Sequence, residues 1–287
     1  MPAQNIYSQY LPQIPQVPQI PQGETLATAP PTPIILDSTQ TEKQPPPIVL
    51  GVIPARLAST RLPRKVLRSI AGRPMLAWVF EAASACPQLD RVLIATDSDE
   101  VAELCHQNNW PVQLTSPDLP SGTDRLHAVA QHIHADIYVN IQGDEPLLKP
   151  QHITALLRPF THPHVEVSTL KVLCTPANIA NPNAVKVVTA TGGRALYFSR
   201  ATIPYDRDAD SETSPKYWKH IGIYAYRKAA LQRFPTLPSS VLEQTERLEQ
   251  LRFLENNIHI YVEPTDFDTI GVDTEEDLKQ VEDLLRR

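Results

Sequence analysis

The sequence is poor in the features that mark several classes of protein. Only three cysteines occur in 287 residues, and an odd, widely spaced set is typical of reduced thiols rather than of disulfides or a zinc site. No apolar run approaches the roughly 20 residues that span a bilayer. The formal net charge of −6 disfavours a general nucleic-acid-binding surface, which needs an excess of cations. The composition therefore predicts a globular protein of the cytoplasm, with one large domain or two small ones.

Several sequence signals are also missing. The N-terminal residues lack the basic-then-apolar order of a secretory signal, and no arginine precedes Arg56, so neither a secretory leader nor a transit peptide is expected. The nine histidines show no zinc-ligand spacing. Neither a Gly-x-Ser-x-Gly elbow nor a Gly-x-x-x-x-Gly-Lys-Ser/Thr loop is present. Hydrolase and P-loop chemistry are therefore disfavoured.

Residues 1–47 differ in composition from the rest of the chain. They hold eleven of the 29 prolines, and proline removes backbone donors and fixes φ, so this extension is predicted to be extended or disordered. The PxxP spacing of Pro12, Pro15, Pro18 and Pro21 is compatible with an adaptor ligand. An unstructured spacer is the interpretation that we favour, and the fold is assigned to residues 48–287.

From residue 48 onward, strand-like and helix-like segments alternate. This order predicts parallel βαβ units in an open sheet with helices on both faces. The predicted strands are Ile48–Ala55, Arg91–Thr96, Val112–Thr115 and Asp136–Ile141. The predicted helices between them are Pro74–Cys86, Asp99–Asn108 and Thr123–His132.

The alternation changes near Pro150, after which strand-like segments follow one another and a Gly192-Gly193 pair marks a tight turn. We expect an antiparallel insertion over about residues 160–235. After a helix at Gln151–Leu157, its predicted strands are Val165–Leu173, Ala184–Ala190, Ala195–Ser199 and Tyr217–Tyr226. The last predicted elements are a long helix Ser239–Asn256, a strand Ile258–Val262 and a helix Thr274–Arg286 with Thr274 as its N-cap.

Four cations follow the first predicted strand, at Arg56, Arg61, Arg64 and Lys65. The carboxyl ends of strands in a parallel sheet are where α/β proteins bind ligands. A triphosphate needs cations and backbone N–H groups around it. This stretch therefore points to an enzyme that handles an activated nucleotide.

Acidic residues follow the fourth predicted strand, in Gln142-Gly143-Asp144-Glu145-Pro146. Alone, this sequence is best interpreted as a solvated turn. Because the cations lie at the same edge of the predicted sheet, we favour Asp144 as a ligand of Mg²⁺. Asp273 alone is a helix-entry aspartate, but beside Asp144 it becomes a candidate second ligand.

Ser121-Gly122-Thr123-Asp124-Arg125 opens the third predicted helix. For Thr123 the simpler interpretation is an N-cap. The small Ser121-Gly122 pair would also allow a flat base to lie against the backbone, although this signal is weak by itself.

Together these motifs resemble one family, the 3-deoxy-manno-octulosonate (Kdo) cytidylyltransferases, which make CMP-Kdo. The resemblance runs from about residue 50 to the C-terminus, and only the proline-rich extension lies outside it. The matching stretches are IPARLASTRLPRK (53–65), SGTDR (121–125), NIQGDEP (140–146), NPNAVKVV (181–188), ALYFSRATIPYDRD (195–208), KHIGIYAYR (219–227), LEQTERLEQLRFLE (242–255) and GVDTEEDL (271–278).

The resemblance implies a Rossmann-like, mononucleotide-binding fold of the nucleotide-diphospho-sugar transferase type, with a mostly parallel sheet. It implies a Mg²⁺-dependent transfer of CMP from CTP to Kdo with release of pyrophosphate, which would activate Kdo for lipopolysaccharide biosynthesis. A cytoplasmic homodimer formed through the inserted region is expected, with no nucleic-acid partner and no membrane insertion.

The resemblance also implies roles for individual residues, with Lys65, Asp144 and Arg56 as the catalytic group. The triphosphate is expected to face Arg56, Ser59, Arg61 and Lys65. Cytosine and ribose are expected beside Ala55, Ser121, Gly122, Arg125 and Gln142. Mg²⁺ is expected on Asp144 and Asp273. The sugar pocket is expected to hold Arg200, His220, Tyr224, Glu249 and Gln250, with Arg200 at the Kdo carboxylate.

One stretch departs from the family pattern. The family usually reads Leu-Pro-Gly-Lys-Pro where this chain has Leu-Pro-Arg-Lys-Val, with Arg64 and Val66. The loss of glycine limits the φ angles open to the loop. The added cation could lie at the phosphates, but a position in solvent is the interpretation that we favour.

Two alternatives to Kdo activation remain at this stage. Pro-Arg-Lys is similar to the CMP-sialate synthetases, so activation of another sugar acid, such as a sialic acid, is the first. The second is a catalytically silent protein that acts through its PxxP extension. The intact Lys65, Asp144 and Asp273 disfavour the silent protein.

Overall fold

The structure, a computed structural model, describes residues 45–57, 61–207 and 216–286. The chain divides into two units, Met1–Gln44 and Pro45–Arg287, and the described residues all belong to the second. The predicted extended or disordered segment 1–47 therefore lies almost wholly outside the described residues. None of the helices described has the length and apolar character that crossing a bilayer would require.

The strands form one large sheet and one small hairpin. The large sheet has the order β11-β7-β10-β6-β1-β4-β5, with β8 paired to β10 and β9 to β8, and the hairpin pairs β2 with β3. The strands are β1 Val49–Ala55, β2 Ser69–Ile70, β3 Arg73–Pro74, β4 Arg91–Thr96, β5 Val112–Leu114, β6 Ile137–Asn140, β7 Val167–Leu173, β8 Lys186–Thr189, β9 Ala195–Ser199, β10 Trp218–Arg227 and β11 Ile260–Pro264.

Parallel and antiparallel pairing divide this sheet in two. β1 pairs in parallel with β4 and β6, and β4 in parallel with β5. β10 runs antiparallel to β6 and β7, while β11 is parallel to β7. The predicted mostly parallel sheet with an antiparallel region is confirmed.

Nine helices are described, and they cover both faces of the sheet. They are α1 Met75–Ser84, α2 Asp99–Gln107, α3 Gly122–Ala130, α4 Pro150–Leu157, α5 Pro176–Ile179, α6 Lys228–Arg233, α7 Val241–Glu246, α8 Leu251–Glu255 and α9 Glu275–Leu285. One apolar core holds residues of α1, α2 and α4 with one side of β1. The other core holds residues of α3, α6 and α8 with the opposite side of the same strand. Alternation of side chains along each buried strand supplies both cores.

Two local predictions are confirmed in detail. Gly192 and Gly193 both have positive φ, 92° and 86°, and join β8 to its antiparallel partner β9. Thr274 caps α9 in a capping box, with its hydroxyl accepting from the Asp277 N–H. Both motifs depend on neighbouring residues only, which is why the sequence predicts them.

The predicted long helix Ser239–Asn256 is wrong, because the chain forms α7 and α8 with a break between them. Arg247 closes α7 in the left-handed region, at φ 54°. The Arg200 guanidinium donates to the carbonyls of Glu246 at 2.8 Å and Arg247 at 3.4 Å, so a distant side chain satisfies the helix end. The break turns Glu249 and Gln250 toward the sheet.

The turn after β6 lies close against the end of β1. A Cβ atom placed on Gly143 would lie 2.9 Å from the Pro54 carbonyl oxygen, closer than atoms of this kind approach. Since Pro54 belongs to a strand paired on both sides, its carbonyl has little freedom to move. Glycine at position 143 therefore permits the close approach of the two loops that carry the predicted site.

We expect Gly143→Ala to lower the free energy of unfolding by about 1–3 kcal/mol, since overpacking against backbone has a cost of that order. Urea denaturation of the purified variant measures it. Gly271→Ala is the matched control, because a Cβ atom there meets no heavy atom within 4 Å. Equal losses in the two variants would contradict the proposed backbone contact.

Candidate active site

A cavity of about 330 Å³ opens at the carboxyl ends of β1 and β6. The two strands are adjacent and parallel, so the loops that follow them lie side by side. The lining residues are Pro54, Arg56, Arg61, Lys65, Val66, Gly122, Gln142, Gly143, Asp144 and Asp273. Seven of them were predicted from the sequence as site residues: Arg56, Arg61, Lys65, Gly122, Gln142, Asp144 and Asp273.

Two carboxylates converge on one ammonium group in this cavity. The Lys65 Nζ atom donates to Asp144 Oδ2 at 2.5 Å and to Asp273 Oδ1 at 3.0 Å. Asp273 also pairs with the Arg61 guanidinium at 2.9 Å. A backbone hydrogen bond of 2.9 Å from the Val272 N–H to the Asp144 carbonyl joins the two acidic loops. The predicted proximity of Asp144 and Asp273 is therefore present in the structure.

The carboxylate pair also fits a divalent cation of the Mg²⁺ type. Because both residues contact a single nitrogen atom, their oxygens converge on a space the size of one ion. Mg²⁺ in nucleotide enzymes takes one or two carboxylates and completes its shell with water and substrate phosphates. Among the described residues, no group of three or more His, Cys, Asp or Glu side chains could hold a metal, so this two-carboxylate arrangement is the relevant one.

Lys65 is held in its charged form. Burial works against its charge, but the nearby Asp144 and Asp273 outweigh burial and raise the pKa of Lys65 above its ordinary value. The lysine is therefore a cation across the physiological pH range. Two cations, Arg61 and Lys65, are thus paired with the two carboxylates, and Arg56 adds a third cation to the cavity lining.

Arg56 begins the loop that follows β1. Its guanidinium donates to the Leu119 carbonyl, while its buried Nε atom has no hydrogen-bond partner among the described residues. Arg56 is also one of the residues that line the cavity. Ser59, predicted at the triphosphate, lies outside the described residues.

Arg64, the departure from the family pattern, adopts the left-handed conformation with φ 57°. Glycine is the residue that takes this conformation without strain, which explains its usual presence there. The Arg64 side chain pairs with Glu100 in α2, and it does not line the cavity. The Arg64 side chain therefore lies outside the cavity lining and forms a largely exposed ion pair with Glu100.

The predicted base-binding turn leads into α3. Ser121 is the N-cap, with its hydroxyl accepting from the Asp124 N–H at 3.1 Å and donating to the Asp124 carboxylate at 2.7 Å. The interpretation of Thr123 as the N-cap is therefore wrong. Of the residues predicted around the base, Gly122 lines the cavity, whereas Ser121 does not line it and Ala55, at the end of β1, is fully buried.

Arg125 is fully buried and does not line the cavity. Its guanidinium pairs with Asp97 at 2.7 Å and donates to the Thr115 hydroxyl. These contacts join α3 to the chain after β4 and β5. Arg125 therefore holds the start of α3 in place and does not line the cavity.

A second cluster of predicted residues lies on β10. His220 stacks edge-on to Phe198 and is tilted against Tyr224, with ring centroids 5.0 and 5.4 Å apart. Its Nε2 atom lies 2.9 Å from the Thr169 hydroxyl. Burial, with Lys219 nearby, lowers the pKa of His220 to about 3, so the ring is neutral at physiological pH.

Arg200 was predicted to bind the Kdo carboxylate, but its guanidinium donates hydrogen bonds to backbone carbonyls. Besides the two carbonyls at the end of α7, its guanidinium donates to the Pro182 carbonyl at 3.1 Å. The Glu246 carboxylate accepts from the Ser199 hydroxyl at 2.5 Å and from the Arg200 N–H at 3.0 Å. Arg200 and Glu246 together fasten the end of β9 to α7.

Glu249 joins the two clusters. Its carboxylate accepts a hydrogen bond from the Thr123 hydroxyl, next to the cavity residue Gly122. Burial raises the pKa of Glu249 above its ordinary value. Gln250 is buried beside it at the start of α8. Two of the five predicted sugar residues, Glu249 and Gln250, therefore lie beside the turn that carries Gly122, and none of the five lines the cavity itself.

Three of the lining residues were not predicted as site residues: Pro54, Val66 and Gly143. Each is next in the chain to a predicted site residue, which is the signal that could have found it.

Two further side chains support the site from behind without lining the cavity. Thr123 and Asn140 both interact with the Tyr226 hydroxyl, which joins α3, β6 and β10. Glu145 lies next to Asp144 in the same loop, and burial, with Asp144 beside it, raises its pKa to about 7.

Comparison with known proteins gives one consistent result. A family model described as cytidylyltransferase matches residues 50–260. The 3-deoxy-manno-octulosonate cytidylyltransferase of Acidobacterium capsulatum is 67% identical over 237 residues, covering 83% of this chain and 96% of the relative. The protein of the same name from Koribacter versatilis is 57% identical, with 83% of this chain and 90% of the relative covered.

Solved structures agree with the sequence relatives. A CMP:2-keto-3-deoxy-manno-octonic acid synthetase complexed with CTP superposes with a TM-score of 0.80 at 41% identity, covering 83% of this chain and 98% of that one. A 4-diphosphocytidyl-2C-methyl-D-erythritol synthase from Anaerococcus prevotii, at 10% identity and a TM-score of 0.58, shares the fold. By these matches the chain is a nucleotidyltransferase, and it belongs to the 3-deoxy-manno-octulosonate cytidylyltransferase family.

Proposed function

We propose that the protein transfers CMP from CTP to Kdo, giving CMP-Kdo and pyrophosphate. The observation that carries this proposal is the convergence of Asp144 and Asp273 on Lys65, in a cavity that two arginines also line. A nucleoside triphosphate needs cations for its phosphates and carboxylates for its metal, and the cavity supplies both. The relatives with this name share up to 67% of their aligned residues with the chain.

The chemistry follows from the charges in the cavity. In the proposed reaction the anomeric hydroxyl of Kdo loses its proton to water, its oxygen forms a bond to the α-phosphorus, and the bond to pyrophosphate breaks in line. Arg56, Arg61 and Lys65 would neutralise the phosphates and so stabilise the charge that moves to the leaving group. Asp144 and Asp273 would hold Mg²⁺, which supplies Lewis-acid polarisation of phosphate oxygens.

The sugar acid would lie between the cavity and the cluster on β10. Tyr226 connects these regions, because its hydroxyl interacts with Thr123 and its ring stacks on Tyr224 with centroids 5.9 Å apart. A neutral His220 and the Tyr224 ring would present hydrogen-bonding and apolar contact to a sugar. The sialic-acid alternative was suggested by Arg64. Since the Arg64 side chain pairs with Glu100 outside the cavity, no contact favours that alternative.

We further propose that the enzyme works in the cytoplasm as a homodimer and supplies lipopolysaccharide biosynthesis. Three exposed apolar side chains of the antiparallel region are candidates for contact with a second copy: Leu173, Leu196 and Tyr205, exposed by 49%, 55% and 88%.

Purified protein with CTP, Mg²⁺ and a panel of sugar acids tests the proposed activity. We expect pyrophosphate release with Kdo at least about a hundredfold faster than with a sialic acid, since a polar site rejects a substrate that leaves its groups unpaired. Release is measured in a coupled phosphate assay. Faster pyrophosphate release with the sialic acid than with Kdo would contradict Kdo as the substrate.

Asp144→Asn keeps the shape of the side chain and removes its charge. We expect kcat to fall by about 10² or more, the size of loss seen when one charge-stabilising group is removed, while the far-ultraviolet circular dichroism stays unchanged. Asp268→Asn is the matched control, because Asp268 contacts Lys219 and not Lys65. Near-normal turnover of Asp144→Asn would contradict the proposed metal ligand.

The segment 1–47 is proposed to be a spacer without a role in turnover. A protein that starts at residue 48 is therefore expected to keep kcat and KM for CTP within about twofold, because the described residues that line the cavity all lie between Pro54 and Asp273. Steady-state kinetics of the two proteins side by side provide the measurement. Loss of turnover on truncation would instead assign the extension a part in catalysis.

A further inference from the structure

Lys65 occupies the point where the two acidic loops meet. Of the four charged side chains in the cluster it is the least exposed, at 14%, compared with 28% for Asp144 and 40% for Asp273. It contacts one oxygen of each carboxylate, at 2.5 and 3.0 Å. The lysine is thus the shared counter-ion of both acids, and it also belongs to the loop that lines the cavity.

A divalent cation would need these same carboxylates. Mg²⁺ binds oxygen at about 2.0–2.1 Å, so an ammonium group in contact with both acids competes for their oxygens. A charge of +2 placed beside the ammonium would also be repelled by it. Lys65 in contact with the carboxylates therefore opposes metal binding.

A triphosphate gives Lys65 a second set of partners. The lysine side chain is a flexible four-carbon stem with a mobile point charge, and Arg56 and Arg61 line the same cavity. The triphosphate of a nucleotide carries more negative charge than the two carboxylates together, so its oxygens would attract the ammonium away from both. Nucleotide binding would then free Asp144 and Asp273.

We propose that Lys65 couples metal binding to nucleotide binding, by holding the two carboxylates until a triphosphate takes the ammonium from them. This inference rests on the proposed CTP site and adds the order in which its parts assemble. By linkage, the factor by which the nucleotide tightens the metal equals the factor by which the metal tightens the nucleotide. Removing Lys65 should therefore raise the affinity for the metal alone.

The experiment is a titration of the full-length protein with Mn²⁺, followed by the electron paramagnetic resonance signal of the free ion. No sugar acid is present, so the result does not depend on turnover. We expect Lys65→Met to bind Mn²⁺ alone about tenfold more tightly than the wild-type protein, a change within the usual range of coupling factors. In the presence of CTP, Lys65→Met and the wild-type protein should bind Mn²⁺ with equal affinity.

Three further variants separate this coupling from a general effect of charge. Arg64→Met removes a neighbouring cation that contacts Glu100 instead of the carboxylates, and it should leave Mn²⁺ affinity within about twofold of wild type. Lys65→Arg keeps the positive charge, so its affinity for Mn²⁺ in the absence of CTP should stay as low as that of the wild-type protein. Lys65→Met combined with Asp144→Asn should lose the gain, which locates the ion at the proposed carboxylates.

Unchanged or weaker Mn²⁺ binding by Lys65→Met would overturn the proposal, as would an equal gain in Arg64→Met. Circular dichroism verifies that each variant is folded, and Lys65→Gln replaces the methionine variant if that one is unstable. Failure of Kdo as a substrate would leave a coupling seen with Mn²⁺ and CTP intact. Conversely, Kdo transfer with no coupling would remove this inference and keep the proposed function.

Discussion

The parallel pairing of β1 with β6 is the constraint on which the site depends. It places the loop after Ala55 and the loop after Asn140 at one edge of the sheet, where Gly143 allows them to approach within contact of the Pro54 carbonyl. The first loop carries cations and the second carries Asp144. A third loop, before α9, joins them through the bond from the Val272 N–H to the Asp144 carbonyl. The opposite charges meet because strands of the same direction end together.

That meeting has an electrostatic consequence. A lone buried lysine would lose its charge to desolvation, and two adjacent carboxylates would repel one another. At Lys65, Asp144 and Asp273 each charge compensates the others, and the pKa of the lysine is raised in spite of its burial. The cation that a phosphate requires and the carboxylates that a metal requires thus stabilise one another. The same neutralisation means that ligands must exchange partners with this cluster when they bind.

The sequence was sufficient for features with local or periodic causes. The bounds of Arg91–Thr96 and Ala195–Ser199 agree with β4 and β9 residue for residue, because buried strands show continuous apolar runs and turns show glycine. The charges of the cavity were also predictable, since the ends of adjacent parallel strands must coincide. Features set by distant contacts were not predictable. The break at Arg247 depends on Arg200, 47 positions away, and nothing in the local pattern of that segment distinguishes it from a continuous helix.

The difference between local and distant causes also explains the position of Arg125. Arg125 was predicted beside the base from its motif alone, yet its guanidinium is drawn to Asp97 and fully buried, a contact that only the fold creates. The helix break likewise has a functional result, since it turns Glu249 toward Thr123. Thr123 follows the cavity residue Gly122, so a single hydrogen bond joins Glu249 to the turn that lines the cavity. This contact spans 126 positions of the chain, and it depends on the helix break that Arg200 stabilises.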